Sequence, residues 1–234
     1  MSKTINEKIS TTLRITLGVC FILSGVMKAV NVYSFAQEIR LYIEAYMDSF
    51  CVQWTVETAT VICAIETITG LLALRKKHEP IVAFVFLAMM SFFVWLTGMN
   101  LFSPSLMGSI ESCGCFGELI HFSPLSSFVK SVVLWIMALG CWVLGVRCWK
   151  TGDRCWVLGV RCWIKRFVSD WKMYAICIAG VLPSVYSYFC FENMEHGYYV
   201  AGYIALCAFC GGWCLWIMRK RLRSKDKGPR SENL

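Results

Sequence analysis

The run LRITLGVCFILSGVMKAVNV, residues 13–32, decides the fold. It has the roughly 20 residues that a helix needs to cross the hydrocarbon core of a bilayer, where backbone amides must find partners within their own segment. Five further stretches read the same way, at residues 54–74, 80–102, 128–146, 173–191 and 199–218. None alternates apolar and polar positions as a barrel strand does. The composition agrees, since 57% hydrophobic and 16% charged residues with a mean hydropathy of +0.58 leave too little polar surface for a soluble globule. The expected fold is all-α, a polytopic membrane helical bundle of six spans.

Lysine and arginine collect in short cytoplasmic loops. Lys3, Lys8 and Arg14 lead into the first span, and Arg75, Lys76 and Lys77 follow the second. The fourth-to-fifth connection carries Arg147, Lys150, Arg154, Arg161, Lys165, Arg166 and Lys172, and a basic cluster from Arg219 to Arg230 follows the sixth span. The alternate loops hold Arg40, and then no Lys or Arg across residues 98–129 or 192–198. Both termini are therefore expected in the cytoplasm, in a bacterial inner membrane. These flanks account for the net charge of +8. No stacking platform or groove-reading motif accompanies it, so the expected partner is the lipid bilayer and not nucleic acid. The polar residues 1–12 lead into a span without a small-residue cleavage site, which reads as a retained anchor.

Between the first two spans, Phe35, Ile39, Tyr42, Ile43, Tyr46 and Phe50 recur at helical spacing with charged residues between them. That predicts an amphipathic helix, lying at the outer interface or packed on the bundle as a lid.

In the loop after the third span, Cys113-Gly114-Cys115-Phe116-Gly117 sets two cysteines one residue apart on the predicted periplasmic side. A disulfide between them closes a small strained ring, the reducible, exchanging kind in an oxidising compartment. Gly114 permits the backbone angles such a ring needs. Cys113 and Cys115 are thus the candidate catalytic pair of a thiol–disulfide exchange. The alternative is that each is bridged to Cys51 or Cys190, which lie near the same face, as a structural cross-link. Cys51 and Cys190 are equally candidates for a relay that passes electrons to or from the pair.

Cys207 and Cys210, one turn apart in the last span, read either as a second dithiol beside a membrane quinone or as small residues in a packing face with Gly211 and Gly212. Lys28, late in the first span, and Glu66, in the middle of the second, are charges at a depth where ionisation is costly. Lys28 could reach outward, meet Glu66, or pair with Glu57. The outcome is a structural ion pair, or a proton or quinone site. No metal centre is expected, because His78, His121 and His196 fall in three separate loops. His121 could assist thiolate formation at Cys115, but a lone loop histidine is ordinarily only solvated.

The segment CWVLGVRCW at 141–149 returns unchanged at 155–163. Its location on the reducing side of the membrane favours a duplicated, Trp-anchored linker over a redox or metal cluster. The domain organisation that follows is a four-span core at 1–146, a basic cytoplasmic linker at 147–172 holding part of the repeat, two additional spans at 173–218, and a basic cytoplasmic tail at 219–234.

The residues LGVCFILSGVMK at 17–28, with Phe35 and Tyr42, then ETITGLL at 66–72 and CGCFG at 113–117, resemble the DoxX-like superfamily, and within it the MauE-like methylamine utilisation membrane proteins, especially the forms common in Bacteroidetes. The likeness covers about residues 10 to 146. It implies a four-helix core that supports disulfide chemistry outside the cytoplasm, with Ser24, Gly25, Lys28, Glu66, Gly70, Cys113 and Cys115 as the matching positions. The implied partners are a periplasmic thioredoxin-like protein or a disulfide-containing client, and a membrane quinone as electron carrier. Two other readings stay open: a non-enzymatic maturation or scaffold protein, and a DoxX-like subunit of a quinol-linked oxidase.

Overall fold

A computed structural model describes residues 2–46, 49–75, 79–102, 123–150 and 171–226. Its helices are α1 (Ser2–Val30), α2 (Val32–Tyr46), a 3-10 turn (Ser49–Trp54), α3 (Thr55–Ala73), α4 (Glu79–Phe102), α5 (Pro124–Lys150), α6 (Trp171–Cys190) and α7 (His196–Asp226). No strand occurs among the described residues. Six helices carry segments long and apolar enough to cross a membrane: Lys8–Val30, Val52–Ala73, Ile81–Phe102, Pro124–Leu144, Lys172–Cys190 and His196–Ile217. The spans match the expected ones, except that the first begins at Lys8, the fourth at Pro124 and the sixth at His196.

Local chemistry explains where the helices start. Asn31 ends α1 and caps α2, its Oδ1 accepting the Ser34 amide at 3.0 Å. Ser123 accepts the Ser126 amide at 3.3 Å, and Pro124 follows it in the first helical position, where a missing amide costs nothing. That cap starts α5 four residues ahead of the apolar run. Arg14 donates to the carbonyl of Ala73, the last residue of α3, which has no amide partner further along its own helix.

The most extensive interfaces join α1 to α3 and α4 to α5. α1 also packs on α5 and α6, α3 on α2 and α6, and α7 on α6. Backbones come close where side chains are absent. A Cβ on Gly70 would lie 2.6 Å from the Gly18 carbonyl, and one on Gly180 of α6 would lie 2.7 Å from Ile68 of α3. The helix after the repeat is therefore seated directly against the first two spans. One buried cluster, with Leu17, Phe21, Phe86, Met173 and Ile176, fills the middle of the bundle. A second, with Ala29, Val32, Phe35, Ala59, Tyr199 and Tyr203, fills the end covered by α2.

The amphipathic stripe lies in α2 as far as Tyr46, with Phe50 falling in the 3-10 turn, and it turns inward at its start. Phe35 and Ala36 are buried while Gln37, Arg40 and Glu44 face out, and Arg40 pairs with Glu44 at 2.7 Å. Because neighbouring spans run in opposite directions, the C-terminal ends of α1, α4 and α6 and the N-terminal ends of α3, α5 and α7 meet at this α2 end. Leu23, Val61, Phe92, Trp95, Val133, Ile136, Ile178 and Leu215 are exposed. In water that surface would be an aggregation hazard; in a bilayer it faces lipid.

Candidate functional site

Lys28 and Glu66 meet. Lys28 Nζ lies 2.6 Å from Glu66 Oε1, and both side chains are 1% exposed. The geometry follows from helix stereochemistry. Side chains lean toward the N-terminus of their own helix, so Lys28 on α1 leans into the bundle while Glu66 on the antiparallel α3 leans up toward the α2 end. Gly25 lets the two helices close: a Cβ there would stand 2.9 Å from the Cys63 carbonyl. The other expected fates of Lys28 are not what forms. Glu57 instead accepts the Tyr188 hydroxyl at 3.4 Å.

The ammonium is held by more than its counter-ion. Its Nζ sits 4.7 Å from the Phe93 ring centroid and 5.0 Å from that of Phe35, on the negatively polarised ring faces. Glu66 Oε2, by contrast, has no hydrogen-bond partner among the described residues. Beside the pair lies a cavity of about 30 Å³ lined by Cys20, Ser24, Lys28, Glu66, Lys130 and Ser131 together with apolar side chains. That volume holds a water or two and no organic ring.

Lys130 is the lining residue that sequence reasoning passed over. The stretch without Lys or Arg, residues 98–129, ends at it, yet it sits six residues into α5, roughly 9 Å along the helix axis. The Ser123-Pro124 cap was the signal that could have found it, because the cap moves the start of α5 back and Lys130 with it into the bundle.

The cysteines divide. Cys113 and Cys115, with His121, lie outside the described residues, as do His78, the repeat beyond Lys150 and the tail beyond Asp226. The described residues that flank the pair, Phe102 and Ser123, are at the α2 end, where Phe102 meets Phe128 edge to face at 5.6 Å. Cys51 falls in the 3-10 turn, and Cys190 ends α6, half-buried against the cluster at that same end. Cys207 and Cys210 point into different environments. Cys207 packs on the α2-end cluster, whereas Cys210 is buried with Cys214 in the central one. A separate opening of about 190 Å³ between α6 and α7 has Cys210 in its wall. Among the described residues no group of His, Cys, Asp and Glu is placed to hold a metal ion.

The region bearing the Lys28–Glu66 pair, Lys130, Cys113 and Cys115 is also the region that matches a known family. Residues 6–144 match the family model described as methylamine utilisation protein MauE. The chain belongs to the MauE family. No curated protein and no solved structure matches it. With six spanning helices, this MauE-family chain is a multi-pass membrane protein. α6 and α7 lie beyond the matched residues, yet they are tied to the MauE part by hydrogen bonds. The Tyr199 hydroxyl donates to Val30 O at 2.7 Å, and the Tyr203 hydroxyl donates to Val26 O at 2.7 Å.

Proposed function

We propose that this MauE-family protein supports thiol–disulfide exchange outside the cytoplasm, with Cys113 and Cys115 as the exchanging pair. The observation that carries the reading is where the pair is anchored. Its flanking helix ends, Phe102 of α4 and Ser123 before α5, belong to the α2 end, the end shared by the 3-10 turn with Cys51 and by Cys190. The basic loops belong to the opposite end, so the α2 end faces the periplasm and both termini face the cytoplasm.

In the exchange, a thiolate of the pair attacks a disulfide of a periplasmic thioredoxin-like protein or client. A mixed disulfide forms, and one client sulfur leaves as a thiolate. The second cysteine then attacks the mixed disulfide, releasing the client as a dithiol and leaving Cys113 and Cys115 joined. The reverse sequence oxidises the client. In the first direction a membrane quinol gives the joined pair two electrons and two protons and becomes quinone; in the reverse direction a quinone takes them from the reduced pair. The small volume beside Glu66 directs that contact to the lipid-facing surface or to the opening beside Cys210. Cys51 and Cys190 are the candidate relay cysteines of this reading. The family's name ties it to methylamine utilisation, and on the thiol reading the client is a disulfide-containing protein.

The test is thiol trapping in intact cells with a membrane-impermeant maleimide, with and without reductant, on wild type, Cys113→Ser and Cys115→Ser. The expected result is an externally reactive, partly oxidised pair, with trapped mixed disulfides in at least one single variant. A pair that stays fully reduced or fully locked under both conditions overturns the exchange and leaves a scaffold that holds its client without redox chemistry.

A further inference from the structure

We propose that the cavity between α1, α3, α4 and α5 is a hydrated proton-transfer site in which Glu66 Oε2 takes and returns a proton through a bound water. Three observations carry it. Glu66 Oε2 is buried without a hydrogen-bond partner among the described residues, beside a cavity large enough for a water and lined by the hydroxyl-bearing Ser24 and Ser131. Glu66 Oε1 is already fixed by Lys28 at 2.6 Å, so protonation at Oε2 leaves that contact in place. The Lys28 ammonium also lies on the Phe35 and Phe93 rings, so it is not stranded when the carboxylate is neutralised.

The titratable and charged groups facing the cavity are Cys20 and Lys28 from α1, Glu66 from α3 and Lys130 from α5, while α4 presents Met90 and Phe93. Cys63, one turn before Glu66, is buried beside them. Lysine ammonium groups donate and cannot accept, so the carboxylate is the group that takes the proton. No electron moves; a proton that reaches the cavity water as hydronium passes to Oε2 and leaves water behind, and it returns to water when the carboxyl ionises again. What the proton serves rests on the thiol reading, since a thiol sheds a proton before it attacks. The site itself does not depend on that reading.

The experiment is infrared difference spectroscopy of the full-length protein in lipid vesicles, titrated between about pH 4 and about pH 10, in a Cys113→Ser, Cys115→Ser background that silences the outer thiols. The expected result is a protonated-carboxyl C=O band that titrates, moves in deuterated water, and is lost in Glu66→Gln. Ser131→Val, which fills the cavity and keeps all the charges, slows deuteration of that carboxyl about tenfold. Absence of a titrating band assigned to Glu66, or a deuteration rate unchanged by Ser131→Val, overturns the proposal. Should Glu66→Gln fail to accumulate, Glu66→Asp serves for the assignment, by displacing the band.

Discussion

The α1–α3 seam and the free face of α7 look alike in sequence and differ in space. Both carry small residues in apolar helices: Gly18, Gly25 and Gly70 in one, Gly211 and Gly212 in the other. In the seam, a side chain on any of the three glycines would meet a neighbouring helix within 3 Å, whereas among the described residues a Cβ on Gly211 or Gly212 would meet nothing outside its own helix within 4 Å. The seam also concentrates polar contacts, with the Lys28–Glu66 pair near one end and Arg14 on the Ala73 carbonyl at the other. α7 instead exposes Ile204, Phe209, Leu215 and Trp216. In lipid, apolar side chains gain little by leaving one hydrocarbon for another, so cohesion comes from close backbones and hydrogen bonds. The two regions show which small residues serve that purpose.

The strongest way to break the contrast is to unpair the seam. Lys28→Met leaves Glu66 buried without its cation and is expected to destabilise the fold by about 3–5 kcal/mol, while a Lys28→Met, Glu66→Met double variant recovers much of the loss. Thermal unfolding of the detergent-solubilised protein checks both; equal losses in the single and double variants would mean that the pair is not the seam's fastening. Next comes steric exclusion. Gly70→Ala sets a methyl 2.6 Å from the Gly18 carbonyl and should cost about 1–3 kcal/mol in the same melt, since backbone has to give way. A melt indistinguishable from wild type would show that the helices can part without loss.

A smaller effect is expected where α7 reaches the MauE part. The Tyr199 hydroxyl donates to the Val30 carbonyl at the end of α1 and accepts from the Ser187 hydroxyl, whose Oγ lies 3.0 Å away. Tyr199→Phe keeps the ring stacked on Tyr186 and removes only these bonds, for a loss of about 0.6–1.5 kcal/mol. If the loss instead rivals that of Lys28→Met, α7 is a principal brace of α1 and the contrast fails.

These differences in legibility have physical causes. The spans were readable because an apolar run of bilayer length is a one-dimensional signal, and the stripe from Phe35 to Tyr46 because a helix face repeats in sequence. Lys28 and Glu66 could be singled out by the cost of charge at depth, but that they pair depends on the antiparallel lean of two helices, which only the fold supplies. Lys130 is hidden in sequence because a basic residue two positions into an apolar run looks the same as a topology marker at its boundary. Tyr199 and Tyr203 were not legible at all. Their partners are the Val30 and Val26 carbonyls, and a backbone acceptor leaves no trace in residue type. The expectation that Cys207, Cys210, Gly211 and Gly212 share one packing face also divides: Cys210 and Cys214 enter the core, and the glycines turn away from it. Adjacent residues on a helix point about 100° apart, so a cluster that is compact in sequence need not be one face.

The smallest expected effect is the one that sharpens the comparison most. Gly212→Ala on α7 adds the same methyl as Gly70→Ala, in a helix of comparable apolar character, at a position with open space around it. Intrinsic propensity then acts alone, and alanine is preferred over glycine inside a helix by up to about 1 kcal/mol. The variant should melt within about 0.5 kcal/mol of wild type or slightly above it, against a clear loss for Gly70→Ala. A loss at Gly212 as large as that at Gly70 would mean that this face is occupied in the membrane by a close-packed helix, from a second copy or another protein. Repeating the melt across a range of protein-to-detergent ratios separates the cases, since a surface that meets only lipid shows no dependence on protein concentration.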